Sequence, residues 1–486
     1  MTATNLPPSS PITEDSAPPF WQPMLLAALA GGLGWGIRGQ YGHETGAMIA
    51  GLLVSLVLVF LMTPRASLLA ATRAVAFGTI AIGIGGSMTY GQTLGLTQAP
   101  ALVGHWDAWR WGMLGVGIKG AIWIGFAGLF LGMGLGGRRY SWREILLLML
   151  GLGASYGLGW WLLNQPYDPA NKILPRLYFS SSWHWHPVAG PELKPRPEVW
   201  GGLLFALLAA WLWIGWVRRD RLARNLTLWG MLGGIGFPLG QCLQSFHAWN
   251  REMFQSGFWA QLDPLMNWWN WMETTFGLVL GASLGLGLWL NRRLIRMDTE
   301  PLVTIKPPVE WLLVLAHVTM LIIGEFTDIA WANELYDPGL IIAFIPLVAV
   351  AGGRWWPLLI ALPITVIPIA GKTILRLVYE EHAMGGLAGW LWYGALPVVA
   401  TTLAAVWFAR RANGATSGRE FARYALLLNT WLYFGLNFAF FHYPWFWAKW
   451  TARTPNAIVY TLCAVVLTVA GLTIGRARSS AKPVPA

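Results

Sequence analysis

Long apolar stretches recur along this chain with little between them, and they constrain its fold more than any other feature. A hydrocarbon core about 30 Å thick needs roughly 20 apolar residues of helix to cross it, and about fourteen stretches approach that length. They are 20–37, 45–63, 74–96, 111–136, 144–163, 199–217, 226–245 and 270–290, then 309–332, 339–352, 355–371, 387–409, 423–442 and 456–475. Backbone amides in lipid have no water to bond, so stretches of this length close their hydrogen bonds as helices. The expected fold is an all-α polytopic membrane protein whose first partner is the lipid bilayer.

Composition enters as a check. Charged residues are 11% and hydrophobic residues 55%, far from a soluble domain with about 25% charge. A net charge of +11 could signal nucleic acid, but its distribution excludes that partner. Arg and Lys fall in alternate loops: Arg65 and Arg73, Arg138 to Arg143, Arg218 to Arg224, Arg292 to Lys306, Arg354, Arg410 to Arg423, and Arg476 to Lys482. By the positive-inside rule these loops and both termini face the cytoplasm, as in a bacterial inner membrane. The charge is thus mostly topological.

The chain divides by the same reading. A Pro- and Ser-rich tail (1–19) lacks the basic start and cleavage pattern of a secretory signal and is expected to be disordered. Four helices fill 20–143 and four more fill 144–296, with a long outer loop at 164–198. A linker (297–308) leads to a six-helix block (309–475) and a tail (476–486). In that block 339–371 is interrupted by Pro346, Pro357, Pro363 and Pro368, so it reads either as two short spans or as a re-entrant pair.

The first two blocks read as a repeat. Gly32-Leu33-Gly34-Trp35 matches Gly157-Leu158-Gly159-Trp160, and Gly91-Gln92 matches Gly240-Gln241. Gly128, Gly132 and Gly134 before Arg138-Arg139 match Gly281, Gly285 and Gly287 before Arg292-Arg293. An even number of spans per unit makes the repeat parallel rather than inverted. Small residues at such spacing also serve plain helix packing.

Chemistry concentrates near the outer ends. The segment from Gly34 to Gly46 holds Gly36, Gly39 and Gly42 together with Arg38, Gln40, Tyr41, His43 and Glu44. So many glycines favour an unwound turn, and ionisable groups between apolar spans are functional candidates. Arg38 could hold an anionic group bidentately, and His43 or Glu44 could move a proton; an Arg38–Glu44 structural pair is the alternative. Gln92 and Gln241 could bind a polar solute or bond between helices. Glu273 is a further site candidate, and Lys119 either pairs with it or snorkels outward. Glu325 and Asp328, three apart on one helix face, are candidates for proton or cation coupling, with Lys372 and Arg376 placed to neutralise them.

All the histidines except His317 fall on the outer side. His184-x-His186 in the long outer loop lacks a third ligand, so no metal is expected, and no cofactor either. No P-loop or HExxH pattern occurs. Cys242 and Cys463 sit in different apolar runs and read as buried packing residues rather than a disulfide. Many of the 33 tryptophans gather at outer ends, as an interfacial belt and as a lining over an outward-facing site.

These features point to a permease for a small polar solute, with its site towards the outside. The rival is a membrane-embedded glycosyl or acyl transferase using a lipid-linked substrate at the outer leaflet. A scaffold or receptor would require a filled interior. The substrate and the oligomeric state are not encoded in any motif.

Overall fold

The computed structural model describes residues 17–39, 41–180, 195–297, 301–327, 329–331, 339–411, 417–442 and 449–475. Apart from one isolated bridge between Asp168 and Ile173, the described residues form helices and turns. The first block holds α1 (Trp21–Ile37), α2 (Thr45–Met62), α3 (Leu68–Ile84), α4 (Gly91–Gln98) and α5 (Trp106–Leu135). The second holds α6 (Trp142–Leu163), α7 (Trp200–Val217), α8 (Arg221–Gly233), α9 (Gly236–Trp249), the short α10 (Arg251–Phe254) and α11 (Gly257–Leu262), and α12 (Trp268–Leu290). Next come α13 (Pro307–Phe326), α14 (Gly339–Gly352), α15 (Trp356–Glu380), α16 (Gly386–Arg411), α17 (Gly418–Phe440) and α18 (Thr454–Thr473).

Among the described residues, 11 helical segments are long and apolar enough to cross a membrane, which makes this a multi-pass helical membrane protein. The other three expected spans fall on α1, α14 and α17, which are shorter or more polar. Burial follows the logic of a lipid solvent. Every residue of α2 except Met48 is buried, as suits a helix apolar on all sides. The outer helices instead show lipid large apolar side chains, such as Leu147, Leu150 and Trp161 on α6 and Leu312 and Leu315 on α13.

Glycine decides how close the central helices come. A Cβ at Gly277, Gly281 or Gly285 of α12 would strike the carbonyls of Gly31, Ala27 and Pro23 on α1. Backbones meet along this whole crossing, which is how membrane helices gain packing where lipid supplies no hydrophobic drive. Gly281→Val should therefore wedge α1 from α12 and cost about 1–3 kcal/mol or more, read as a lower thermal midpoint in detergent. Gly157→Val, where a Cβ meets nothing, should leave the midpoint unchanged.

Two expectations need correction. The stretch 74–96 is not one helix. α3 starts earlier, at Leu68, and ends at Ile84; a 3-10 turn (Gly85–Ser87) and an irregular stretch then lead to α4. A side chain on Gly85 would collide with Trp123, and one on Gly86 with the backbone of His43 and Glu44, so the close approach of these neighbours requires the two glycines. Cys242 is exposed on α9 rather than buried, while Cys463 is buried as expected. Most of the N-terminal tail lies outside the described residues, but its end is attached: the Trp289 indole donates to the Pro18 carbonyl at 2.8 Å.

The matched glycines behave alike in part. Gly34 of α1 packs on Ala50 of α2, and Gly159 of α6 packs on Gly201 of α7. Gly134 of α5 packs on α3, and Gly287 of α12 on α8. The α8–α9 break at Gly234 precedes Gly240-Gln241 just as the α3–α4 break at Gly85 precedes Gly91-Gln92. The remaining pairs part company: Gly128 and Gly132 contact α8, whereas Gly281 and Gly285 contact α1.

Candidate functional site

The α1–α2 connection turns on Gly39 (φ +29) and Gly42 (φ +86), a backbone region that side chains disfavour. The turn sends Arg38 inward, where it is 1% exposed. Its Nη2 donates to Glu273 Oε1 of α12 at 3.0 Å and to the Tyr90 hydroxyl at 2.7 Å. Its Nη1 lies 3.3 Å from His43 Nδ1. A guanidinium only donates, so Nδ1 is the acceptor and the His43 proton sits on Nε2. The guanidinium also lies 4.6 Å from the centre of the Trp35 ring and 5.7 Å from that of Trp123. Aromatic faces of this kind stabilise a desolvated cation.

The end of α1 is held open by side chains. Asn270 of α12 donates to the Gly36 carbonyl at 3.3 Å, and Asn437 of α17 donates to that of Ile37. These amides satisfy carbonyls that a helix end leaves without partners. Around the pair lies an aromatic wall. Phe276 meets Trp35 at 4.5 Å edge-on, and Phe237 stacks on Phe276 at 4.6 Å. His43 stays exposed above, edge-on to Tyr90 at 4.8 Å. Desolvation of the part of its ring turned to Arg38 and Tyr90, with the cations Arg38, Lys372 and Arg196 close by, pushes the His43 imidazole below its usual range.

A second buried ion pair lies on the other side of the α3–α4 break. Lys119 of α5 donates to Glu198 Oε1 at 2.7 Å, to Thr93 Oγ1 at 2.8 Å, to Ser180 Oγ at 3.1 Å, and to the Thr89 carbonyl. Glu198 also accepts from Ser180 Oγ at 2.7 Å and from the Phe179 N–H at 3.0 Å. Thr89 and Tyr90 are adjacent, so the unwound stretch touches both pairs. The pairing overturns both sequence expectations here. The carboxylate bonded to Arg38 is Glu273, not Glu44, and Lys119 neither pairs with Glu273 nor snorkels. Each pair joins a residue of 20–143 to one of 144–296.

The remaining candidates are placed as follows. Glu44 is half-buried at the start of α2, close enough to act electrostatically on Arg38. Gln241 is buried and donates to Thr97 Oγ1 at 2.7 Å and Gln98 Oε1 at 3.3 Å, an interhelical tie between α9 and α4. Gln92 is half-buried on α4. Glu325 has its carboxylate 3.7 Å from Lys372 Nζ, and Lys372 also donates to the Tyr41 carbonyl at 3.2 Å. Arg376 serves Glu381 at 2.7 Å, together with His442 at 2.6 Å, and does not neutralise Glu325. Gln40, Asp328, His184 and His186 lie outside the described residues.

Tyr90, Lys119 and Glu198 are the polar residues whose place the sequence reading missed. Gly85, Gly86 and Gly91 around Tyr90 signal an interrupted helix, and Glu198 is a lone acid just before the apolar run of α7. Nothing local pairs either with its partner. No family model matches the chain, nor does any curated protein or solved structure.

Proposed function

We propose that this membrane protein is a permease for a small polar solute, bound near the outer side at Arg38 and Glu273. One observation carries the reading: a buried ion pair with unused bonding capacity rests against an interrupted helix. Arg38 Nε is buried without a hydrogen-bond partner among the described residues, while the Glu273 carboxylate has the Trp269 side chain as a further hydrogen-bonding neighbour. Orphaned charged atoms of this kind are costly unless a ligand or water completes them. Transporters place substrates where helices unwind within the membrane. His43 and Glu44 stand at the mouth of the site, and Gln92 and Gln40 remain further candidates for the solute.

A parallel repeat of the two four-span units is part of this reading. Both third spans break ahead of a Gly-Gln pair, and each first span packs on its second through the matched glycine. Both ion pairs then bridge the two units, where a rocking motion would act on them. Gln241, tied to α4, would transmit such motion rather than touch solute. The test is reconstitution into liposomes with a panel of labelled sugars, amino acids and carboxylates. Saturable entry of at least one solute is expected; no solute crossing would overturn the permease.

Coupling is assigned to Glu325, with Asp328 as its expected companion. Lys372 beside Glu325 gives a proton or cation a competitor at the carboxylate. Glu325→Gln should leave solute exchange across the liposome intact and abolish accumulation driven by an ion gradient. Unchanged accumulation would remove Glu325 from the mechanism.

A second reading is favoured by the continuous backbone contact of α1 with α12, which seals that crossing below Arg38. A site closed below suits a transferase using a lipid-linked donor at the outer leaflet. Solute that binds without crossing, while a lipid-linked sugar or acyl donor is consumed, would establish that reading instead.

A further inference from the structure

A cavity of about 480 Å³ opens between α6, α13 and α14, away from the Arg38 site. That volume lies within the usual range for ligand pockets, roughly 300–1,000 Å³. Its wall is apolar: Leu146 of α6, Leu313 of α13, and Phe344, Ile345 and Val348 of α14. The polar part is confined to one end. Arg143 is the second residue of α6 and Lys306 immediately precedes α13, so both mark the starts of their helices. The C-terminal end of α14 closes the same end, because a side chain at Gly352 would meet Trp142, Thr304 and Ile305.

The two cations are not consumed by the nearby acids. Glu144 pairs with Arg218 at 2.9 Å. Glu310 accepts from the backbone N–H groups of Trp355 and Trp356 at 2.7 Å each, and from that of Arg354 at 3.2 Å. The Arg143 guanidinium lies 5.4 Å from the centre of the Trp142 ring, and Lys306 is exposed. Positive-inside placement alone explains basic residues at helix ends. It does not explain why two of them share the rim of an apolar trough between three helices.

We propose that this cavity binds one anionic phospholipid, with an acyl chain along the trough and the phosphate between Arg143 and Lys306. Charge complementarity selects the headgroup: basic pockets between membrane helices recognise anionic lipids, and a zwitterionic lipid brings its own cation. Trp142 at the rim suits the headgroup level, where indole rings settle. The site is independent of the solute-binding reading.

Native mass spectrometry of the full-length protein tests it, with phosphatidylglycerol and phosphatidylcholine of equal chain length as probes. One phosphatidylglycerol should be retained, with at least tenfold preference over phosphatidylcholine. Arg143→Ala combined with Lys306→Ala should abolish the preference. Leu146→Trp, which fills the trough and leaves the charges in place, should abolish retention, while Arg138→Ala on the neighbouring loop should change neither. Equal retention of both lipids, or retention undiminished by Leu146→Trp, would overturn the proposal. Displacement of the lipid by an equal concentration of inorganic phosphate would overturn it too, marking a phosphate site instead.

Discussion

Arg38→Met should destabilise the protein by about 3–5 kcal/mol, because it strands Glu273 as an unpaired buried charge. Glu273 is 2% exposed, and besides Arg38 only neutral groups such as the Trp269 side chain stand ready to meet its charge among the described residues. Removing the guanidinium takes away its charged partner and the anchor shared by Tyr90 and His43. The informative comparison is the double variant Arg38→Met with Glu273→Leu. Replacing both members of a buried pair by apolar groups of similar size is often neutral or stabilising, so the thermal midpoint in detergent should recover to near the parent value. Solute entry should not recover, because the groups proposed to meet the solute are gone. A double variant that folds and still moves solute at the parent rate would reduce the pair to a structural tie.

Lys119→Met should have the second largest effect, of about 3 kcal/mol by the same argument, but its consequences should be local. Glu198 keeps bonds to Ser180 and Phe179, which soften the loss. Lys119 itself joins α5, the unwound stretch at Thr89, Thr93 of α4, and the described ends of the long α6–α7 loop at Ser180 and Glu198. Without it, residues 164–180 should exchange amide hydrogens faster and be cut sooner by protease added outside. The α1–α12 crossing, held by glycine contacts rather than charge, should keep its protection. Equal loosening of both regions would mean that the second pair supports the whole bundle rather than the loop.

The two variants also separate the roles of the pairs. Arg38 Nε has no hydrogen-bond partner among the described residues, and a histidine lies beside the guanidinium. Lys119 has four acceptors, and Glu198 is bonded at both oxygens. The first is the pair proposed to meet the solute; the second is the more fully bonded of the two.

Much of the architecture is legible before any coordinates. Helices lie where apolar length demanded them, because spanning lipid is a condition each segment meets by itself. The turn at Gly39 and Gly42 could be read from composition, since glycine is needed where φ is positive. Arg38 was recognisable as costly in its apolar surroundings. The third span was misread as continuous: its glycines are compatible with helix packing, and only the neighbours that crowd Gly85 and Gly86 make the break necessary. The histidines were expected on one side of the membrane, and among the described residues His43 is the one bonded to Arg38.

By itself, then, the sequence determined the class of fold, the positions of the apolar helices and the small set of intramembrane charges worth explaining. Each of those follows from local hydropathy and the price of burying a charge. Which charges meet was decided only by tertiary structure. Glu44 is six residues from Arg38 in sequence, but the carboxylate bonded to that guanidinium is Glu273, far away in the chain. Lys119 finds Glu198 rather than Glu273 for the same reason. A buried ion must be met at bonding distance and in the right direction, and the glycine crossing of α1 on α12 brings Glu273 to that place.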